Sequence, residues 1–348
     1  MTTWILRQGT SRNAFRYVSP QGRPLADARQ LARIDALRIP PAWRGVHIAA
    51  SPGSAVQAWG IDAKGRKQYR YNGRAVELGE TRKYYRLRRL ARDLPRIRER
   101  LVADAGRGDF SRESVAAIVV QLLSAGFFRI GSERYVKENR TFGIATLRKN
   151  HVRVDGDTVF FSYVGKRSIT HRRAVVETLV AAGIGRLLDA PGRRLFRYRV
   201  GRTWHDLTAA DVNDYIRQIA GVRYSAKDFR TWGGTLRMAT VLAELGPAPD
   251  TPRLRHKIVV TALRFVAAEL GNTPAICRKS YIHPMVIARF EDEGETIASS
   301  LARMPRGRAS SGHHAEERAL IRFLDKHFPE RRRRPRTEDL VPSHRDSD

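Results

Sequence analysis

Tyr281 closes the stretch Thr273-Pro-Ala-Ile-Cys-Arg-Lys-Ser-Tyr281, and three cationic side chains precede it in separate segments. Arg129 lies in Phe128-Arg129-Ile-Gly131, Lys166 in Val164-Gly-Lys166, and Arg230 in Lys227-Asp-Phe-Arg230-Thr-Trp232. One phenol, two guanidiniums and one ammonium form a set able to cut a DNA phosphodiester without metal or nucleotide. A phenol of pKa about 10 is a poor nucleophile at neutral pH. Guanidiniums beside a scissile phosphate favour the phenolate and stabilise charge on the non-bridging oxygens in the transition state. The departing sugar oxygen needs a proton, which an ammonium can supply.

Each of these residues also has a plain structural reading. Arg129 follows an apolar helix and two phenylalanines, where a charge is costly unless paired, so it either enters a phosphate pocket or lies at the surface with its stem packed. Lys166 falls where a strand meets a turn, on a loop tip or as a surface lysine. Gly165-Lys166 is not a phosphate-binding P-loop, because Phe160 stands at the first glycine and Arg167 at the Ser/Thr position. Asp228 could pair with Arg230, Gly271-Asn272 could be an ordinary helix cap and turn, and Tyr281 could be a core tyrosine. His313-His314 lacks a third ligand at convincing spacing, so no metal site is read there. No dinucleotide fingerprint or Ser/His/Asp triad stands out, and no cofactor is expected.

The elements that must position these groups belong to a strongly basic chain. Its 348 residues carry 65 Lys and Arg against 35 Asp and Glu, a formal charge of +30 with pI near 11.2. From Pro305 to Asp348 there are 11 basic and 8 acidic residues, a net +3, so the body holds the rest. Such an imbalance repels itself unless a polyanion neutralises it, which points to nucleic acid. Cys277 is the only cysteine, excluding an internal disulfide and cysteine-rich zinc sites. No apolar run approaches a membrane span of about 20 residues, and the first residues lack a signal-peptide core. A cytoplasmic, nucleoid-associated protein is the expectation.

Residues 1–77 read as a small α+β unit. Asp27 opens a helix with Leu31, Ile34 and Leu37 on one face, stopped by Pro40-Pro41. Strands are expected over Val46–Ala50, Val56–Ile61 and Arg66–Tyr71. In the last, Lys67, Tyr69 and Tyr71 share a face, either against a nucleic-acid groove or against a core. Asn72–Thr81, with two glycines, reads as a linker.

Residues 78–329 read as a larger, mainly helical unit. Leu87, Leu90, Leu94, Ile97 and Leu101 recur at helical spacing, with a break expected at Pro95. Ten Lys and Arg against three acids between Arg82 and Arg107 make that segment strongly one-signed. Val115–Leu123 should be a buried helix ending at Gly126. Asp155-Gly156 is a hairpin turn between Val152-Arg-Val and Val159-Phe-Phe. Further helices are expected from Thr208 to Gly221, from Thr251-Pro252 to Gly271, and around Leu320, Ile321, Leu324 and Phe328. Residues 330–348 read as a disordered tail.

Read in order, the motifs around Tyr281, Arg129, Lys166 and Arg230, together with Gly65-Arg-Lys-Gln-Tyr69 and Tyr135-Val-Lys-Glu-Asn139, resemble the series of type IB DNA topoisomerases, in the compact poxvirus and bacterial branch. The resemblance runs from about Pro40 to Tyr281. It implies an α+β fold: a small N-terminal β-sheet domain and a larger α-helical catalytic domain forming a clamp around double-stranded DNA. It places Arg129, Lys166 and Arg230 on the catalytic cations and Tyr281 on the nucleophile. It further implies relaxation of positive and negative supercoils through a 3′-phosphotyrosyl intermediate, by a monomer needing no nucleotide. Lys67, Gln68, Tyr69, Tyr71 and Tyr135 are the expected DNA contacts. Nine residues before the tyrosine, poxvirus enzymes carry histidine where this chain has Asn272; asparagine is tolerated there in the bacterial branch and can still donate to a phosphate oxygen, without charge. A tyrosine recombinase uses similar groups, but usually presents His-x-x-Arg where this chain has Lys227-Asp-Phe-Arg230. A non-catalytic DNA-binding protein would account for the charge and not for the ordered motifs.

Overall fold

The computed structural model describes residues 3–9, 15–303 and 313–329; the expected tail over 330–348 lies outside the described residues. The chain divides into two compact units, Met1–Tyr84 and Tyr85–Asp348. Among the described residues no helix is long and apolar enough to cross a membrane.

In chain order the first unit holds β1 (Trp4–Gln8), β2 (Arg16–Val18), α1 (Ala28–Ala36), β3 (Arg44–Ala49), β4 (Val56–Ile61) and β5 (Lys67–Tyr71). The strands form one antiparallel sheet in the order β2-β1-β3-β4-β5. Asp27 caps α1, its side chain accepting from the Arg29 and Gln30 amides. Ile34 of that helix joins Ile5, Val46, Ile48 and Ala58 in the core. The first two strands were not expected, since β1 is a short apolar run followed by Arg7 and Gln8 without alternation and β2 has only three residues.

At the sheet edge, β5 leaves Tyr69 42% and Tyr71 54% exposed, which removes the core reading of these tyrosines. Their rings stack at 5.8 Å, and Lys67 Nζ stands 3.7 Å from the Trp59 ring centroid.

The helix α2 (Gly73–Gly106) has residues on both sides of the division. It overturns two expectations. Asn72–Thr81 is not a linker: Asn72 accepts from the Ala75 amide through its side chain and α2 begins at Gly73. Nor does Pro95 break the helix. A proline removes the N–H that would serve the carbonyl four residues back; that carbonyl, of Ala91, accepts instead from His313 Nε2 at 2.7 Å. Leu87, Leu90, Leu94, Ile97 and Leu101 are all buried, as their spacing predicts.

The α2 arginines are largely internal fasteners. Arg86 pairs with Asp228 at 3.1 Å, Arg98 with Glu317 at 2.8 Å and Arg88 with Asp325, while Arg96 donates to the Ala220 carbonyl at 2.8 Å.

The second unit continues with α3 (Arg112–Gly126), α4 (Glu133–Asn139), β6 (Val152–Asp155), β7 (Thr158–Val164), β8 (Thr170–Val176), α5 (Thr178–Asp189), β9 (Arg197–Val200) and β10 (Thr203–Asp206). Then come α6 (Ala209–Ala220), α7 (Ala226–Glu244), α8 (Pro252–Leu270), α9 (Pro274–Tyr281), α10 (Pro284–Glu293), α11 (Ala298–Ala302) and α12 (Ala315–His327). From Ser114 to Leu123 every side chain of α3 except Gln121 is buried, and α5, α6, α7, β8 and β9 pack around it. The β6-β7-β8 sheet turns first at Asp155-Gly156 and then at Lys166. Its middle strand buries Val159, Phe161 and Tyr163 on one face. The β9-β10 hairpin was not expected, because the alternation of Arg197 to Val200 spans only four residues and Thr203 to Asp206 does not continue it.

Candidate active site

Five of the expected residues line one cavity of about 280 Å³ within the second unit: Arg129, Tyr135, Lys166, Arg230 and Tyr281. They come from five separate places in the chain. Tyr281 is the final residue of α9, a helix started by Pro274 and capped by Thr273, whose hydroxyl accepts from the Ile276 amide. Its partly exposed ring lies beneath Arg230, with the guanidinium carbon 5.0 Å from the ring centroid.

Arg129 follows the left-handed cap at Phe127 that ends α3. The next turn is held against Gly143 at very close range. A Cβ at Gly131, which has φ +83, would stand 2.8 Å from Gly143 Cα, so only glycine permits the approach. The Ile144 amide then donates to the Arg129 carbonyl at 2.7 Å and the Ala145 amide to that of Ile130 at 2.9 Å.

Lys166 is exposed on the turn joining β7 to β8. The Gly165 amide donates to the Ile169 carbonyl at 2.8 Å, while Arg167 and Ser168 both take left-handed conformations, with φ +64 and +57. Two successive non-glycine residues in that region cost roughly 1–2 kcal/mol each, a strain concentrated beside the cavity.

The arginines are held without carboxylates. Three successive carbonyls at the end of α8 each accept from a different guanidinium: Glu269 from Arg173 at 2.5 Å, Leu270 from Arg230, and Gly271 from Arg129 at 2.5 Å. Arg230 also donates to the Phe127 carbonyl. The last carbonyls of a helix have no partner inside it and carry the negative end of its dipole. Here they orient three cations while leaving their formal charge uncancelled. No ion pair to Arg129, Arg173 or Arg230 is present among the described residues. Asp228 does not pair with Arg230; it caps α7 through the Ser225 amide and binds Arg86.

Crowding of like charge leaves its mark on protonation. Burial first, then Arg129, pull Arg230 down to about 10, against the opposing influence of Tyr281. Burial chiefly lowers Arg129 as well, with Arg173 and Arg167 acting the same way. Arg230 still titrates well above neutral pH, so it stays charged.

Asn272 does not line the cavity; it stands behind Arg129. Its Oδ1 accepts from Arg129 Nη2 at 2.6 Å, and its Nδ2 is buried without a hydrogen-bond partner among the described residues. Gly271 is the left-handed cap of α8, as the cap reading of Gly271-Asn272 expects. Lys67, Gln68, Tyr69 and Tyr71 all lie on β5 of the first unit, where Gln68 Nε2 already donates to Asp62 at 2.9 Å. Sequence reasoning missed Arg173 and His171, alternate residues of β8 that face the same cluster. Arg172-Arg173 is one arginine pair among many, and no spacing marks it out.

Residues 74–306 match the family described as Eukaryotic DNA topoisomerase I, catalytic core, and residues 14–62 match Bacterial DNA topoisomerase IB, N-terminal domain. DNA topoisomerase 1B of Acanthamoeba polyphaga mimivirus is 30% identical over 279 residues, spanning 77% of this chain and 82% of its own length. DNA topoisomerase 1 of Rabbit fibroma virus (strain Kasza) is 28% identical over 256 residues, 68% and 73% of the two chains. DNA topoisomerase 1B of Vaccinia virus (strain Copenhagen) is 24% identical over 239 residues, 67% and 72%. With a helical catalytic unit following an antiparallel N-terminal sheet, this chain belongs to the type IB DNA topoisomerases, a family of isomerases.

Proposed function

We propose that the chain relaxes positive and negative supercoils in double-stranded DNA by cutting one strand, letting it swivel and resealing it. The observation that carries this reading is the convergence of Tyr281, Arg129, Arg230 and Lys166 on a single cavity. Tyr281 Oη attacks the scissile phosphorus, forming an Oη–P bond as the P–O5′ bond breaks, and its own proton passes to water. Lys166 gives a proton to the departing O5′. Arg129 and Arg230 hold the non-bridging oxygens, and loss of one such donor typically costs about a hundredfold or more in rate.

The product is a 3′-phosphotyrosyl ester. Because one phosphoester replaces another, religation is the same exchange reversed and needs neither ATP nor a metal. The free 5′ end rotates while the strand is open. Asn272 orients Arg129, whose remaining guanidinium hydrogens are left for the phosphate. Most affinity comes from backbone phosphates, with Lys67, Gln68, Tyr69, Tyr71 and Tyr135 among the contacts. In this reading the two units clamp the duplex, and the enzyme acts as a monomer on cytoplasmic, nucleoid DNA.

The test is a nicked suicide duplex that traps the covalent complex, followed by mass spectrometry of the modified peptide. The adduct should map to Tyr281. The Tyr281→Phe variant should bind DNA but form no denaturant-resistant adduct and relax nothing; undiminished relaxation by that variant would discard the assignment.

A further inference from the structure

His171 faces the cavity's supports from β8, pairs with Tyr163 across the β7–β8 ladder and stacks on its ring at 5.2 Å. It is 7% exposed. Two glycine backbones close on its ring from different directions. A Cβ at Gly165 would stand 2.4 Å from His171 Cδ2, and a Cβ at Gly271 would stand 2.5 Å from His171 Cε1. Gly165 directly precedes Lys166, and Gly271 directly precedes Asn272. The imidazole thus fills the gap between the lysine turn and the end of α8.

We propose that His171 is a positioning residue, a neutral wedge that sets the reach of the Lys166 ammonium relative to the arginines anchored on α8. The inference rests on Lys166 acting as general acid in the strand cleavage described above. Arg129 and Arg230 do not depend on the wedge, because the Leu270, Gly271 and Phe127 carbonyls hold them directly. Lys166 is carried by its turn, and at Gly165 the His171 ring packs directly against that turn. Charge on the ring would work against the arrangement. Arg173 on its own strand, Arg129 after α3 and Arg230 on α7 all oppose protonation, as does burial, so the ring stays neutral near pH 7.

Removal of the wedge should therefore damage proton donation and spare phosphate binding. The measurement is the single-turnover rate of adduct formation on two suicide duplexes, one with the normal 5′ oxygen and one with sulfur bridging to the leaving group. A thiolate leaves without needing a proton, so sulfur bypasses the general acid. His171→Ala should form adduct about tenfold or more slower on the oxygen duplex. On sulfur it should come within about threefold of wild type. Equal slowing on both duplexes, or no slowing on oxygen, overturns the proposal.

A second arm removes any ambiguity from misfolding. Gly165 has φ −101, a conformation open to alanine, so Gly165→Ala should slow the oxygen reaction only by pressing on His171. In the His171→Ala background the same change should cost nothing further, or restore part of the rate; additive losses overturn the proposal. Lys166→Ala keeps the two readings separate. If sulfur fails to rescue Lys166→Ala, the general-acid assignment is at fault; if it rescues Lys166→Ala and not His171→Ala, only the wedge is.

Discussion

Arg129 donates through Nη2 to both the Gly271 carbonyl, at 2.5 Å, and Asn272 Oδ1, at 2.6 Å. A neutral amide and a helix-end carbonyl thus fix the guanidinium plane, and its full charge remains for a phosphate. A carboxylate at the same place would fix the plane equally well and cancel the charge.

This contrast is open to test. Asn272→Ala should slow single-turnover cleavage by about tenfold, through a less ordered Arg129. Asn272→Asp should do worse, about a hundredfold or more, because the new carboxylate competes with the phosphate for Arg129. DNA affinity, measured by equilibrium binding, should change little in the first and fall in the second. An aspartate variant faster than the alanine variant would contradict the role given to the uncancelled charge.

A site built from side-chain cations should work in EDTA and without ATP. Supercoiled plasmid should relax at an undiminished rate after chelation, and strict dependence on Mg²⁺ would count against the chemistry. Affinity should fall steeply with salt, log K declining linearly with log salt concentration at a slope of about −0.9 per phosphate neutralised.

Burial, Arg173, Arg129 and Arg230 push His171 from its ordinary 6.5 down to about 4. In the unfolded chain the ring takes a proton below about 6.5, whereas in the folded protein it waits until about 4. The unfolded state binds more protons between these values, so this contribution to stability is full above 6.5 and is lost as pH falls toward 4. Wild type should lose on the order of 2 kcal/mol more than His171→Phe between pH 7 and pH 4.5. Urea midpoints of both proteins across that range measure the difference, and carboxylates common to both cancel. Parallel curves would rule out the buried neutral ring.

His313 stands in for the amide hydrogen that Pro95 lacks. His313→Ala should lower stability by about 1 kcal/mol, leaving one buried carbonyl unsatisfied. Adding Pro95→Ala should recover most of that loss, since alanine restores the backbone donor to the Ala91 carbonyl. Thermal melts of the two single variants and the double variant give the cycle. Equal destabilisation by His313→Ala with or without Pro95 would show that the bond contributes nothing.

Much of this protein is legible along the chain because it is local. The apolar spacing of Leu87 to Leu101, the Asp155-Gly156 turn, and the Thr208 and Gly271 caps each depend on neighbours within a few residues. So do the motifs around Arg129, Lys166, Arg230 and Tyr281, whose order carries the family resemblance. The linker expected at Asn72–Thr81 and the break expected at Pro95 failed where distant or compensating groups intervened, above all His313, more than 200 residues away in sequence. Composition marked α2 as basic, but Asp228, Glu317 and Asp325 decide that several of its arginines face inward. Likewise, nothing in the order of residues discloses that the last carbonyls of α8 collect Arg173, Arg230 and Arg129, or that His171 lies between Gly165 and Gly271. Side-chain type and short-range spacing determine which chemistry is possible; only the packing of distant segments decides which charges are consumed holding the fold and which are left for a phosphate.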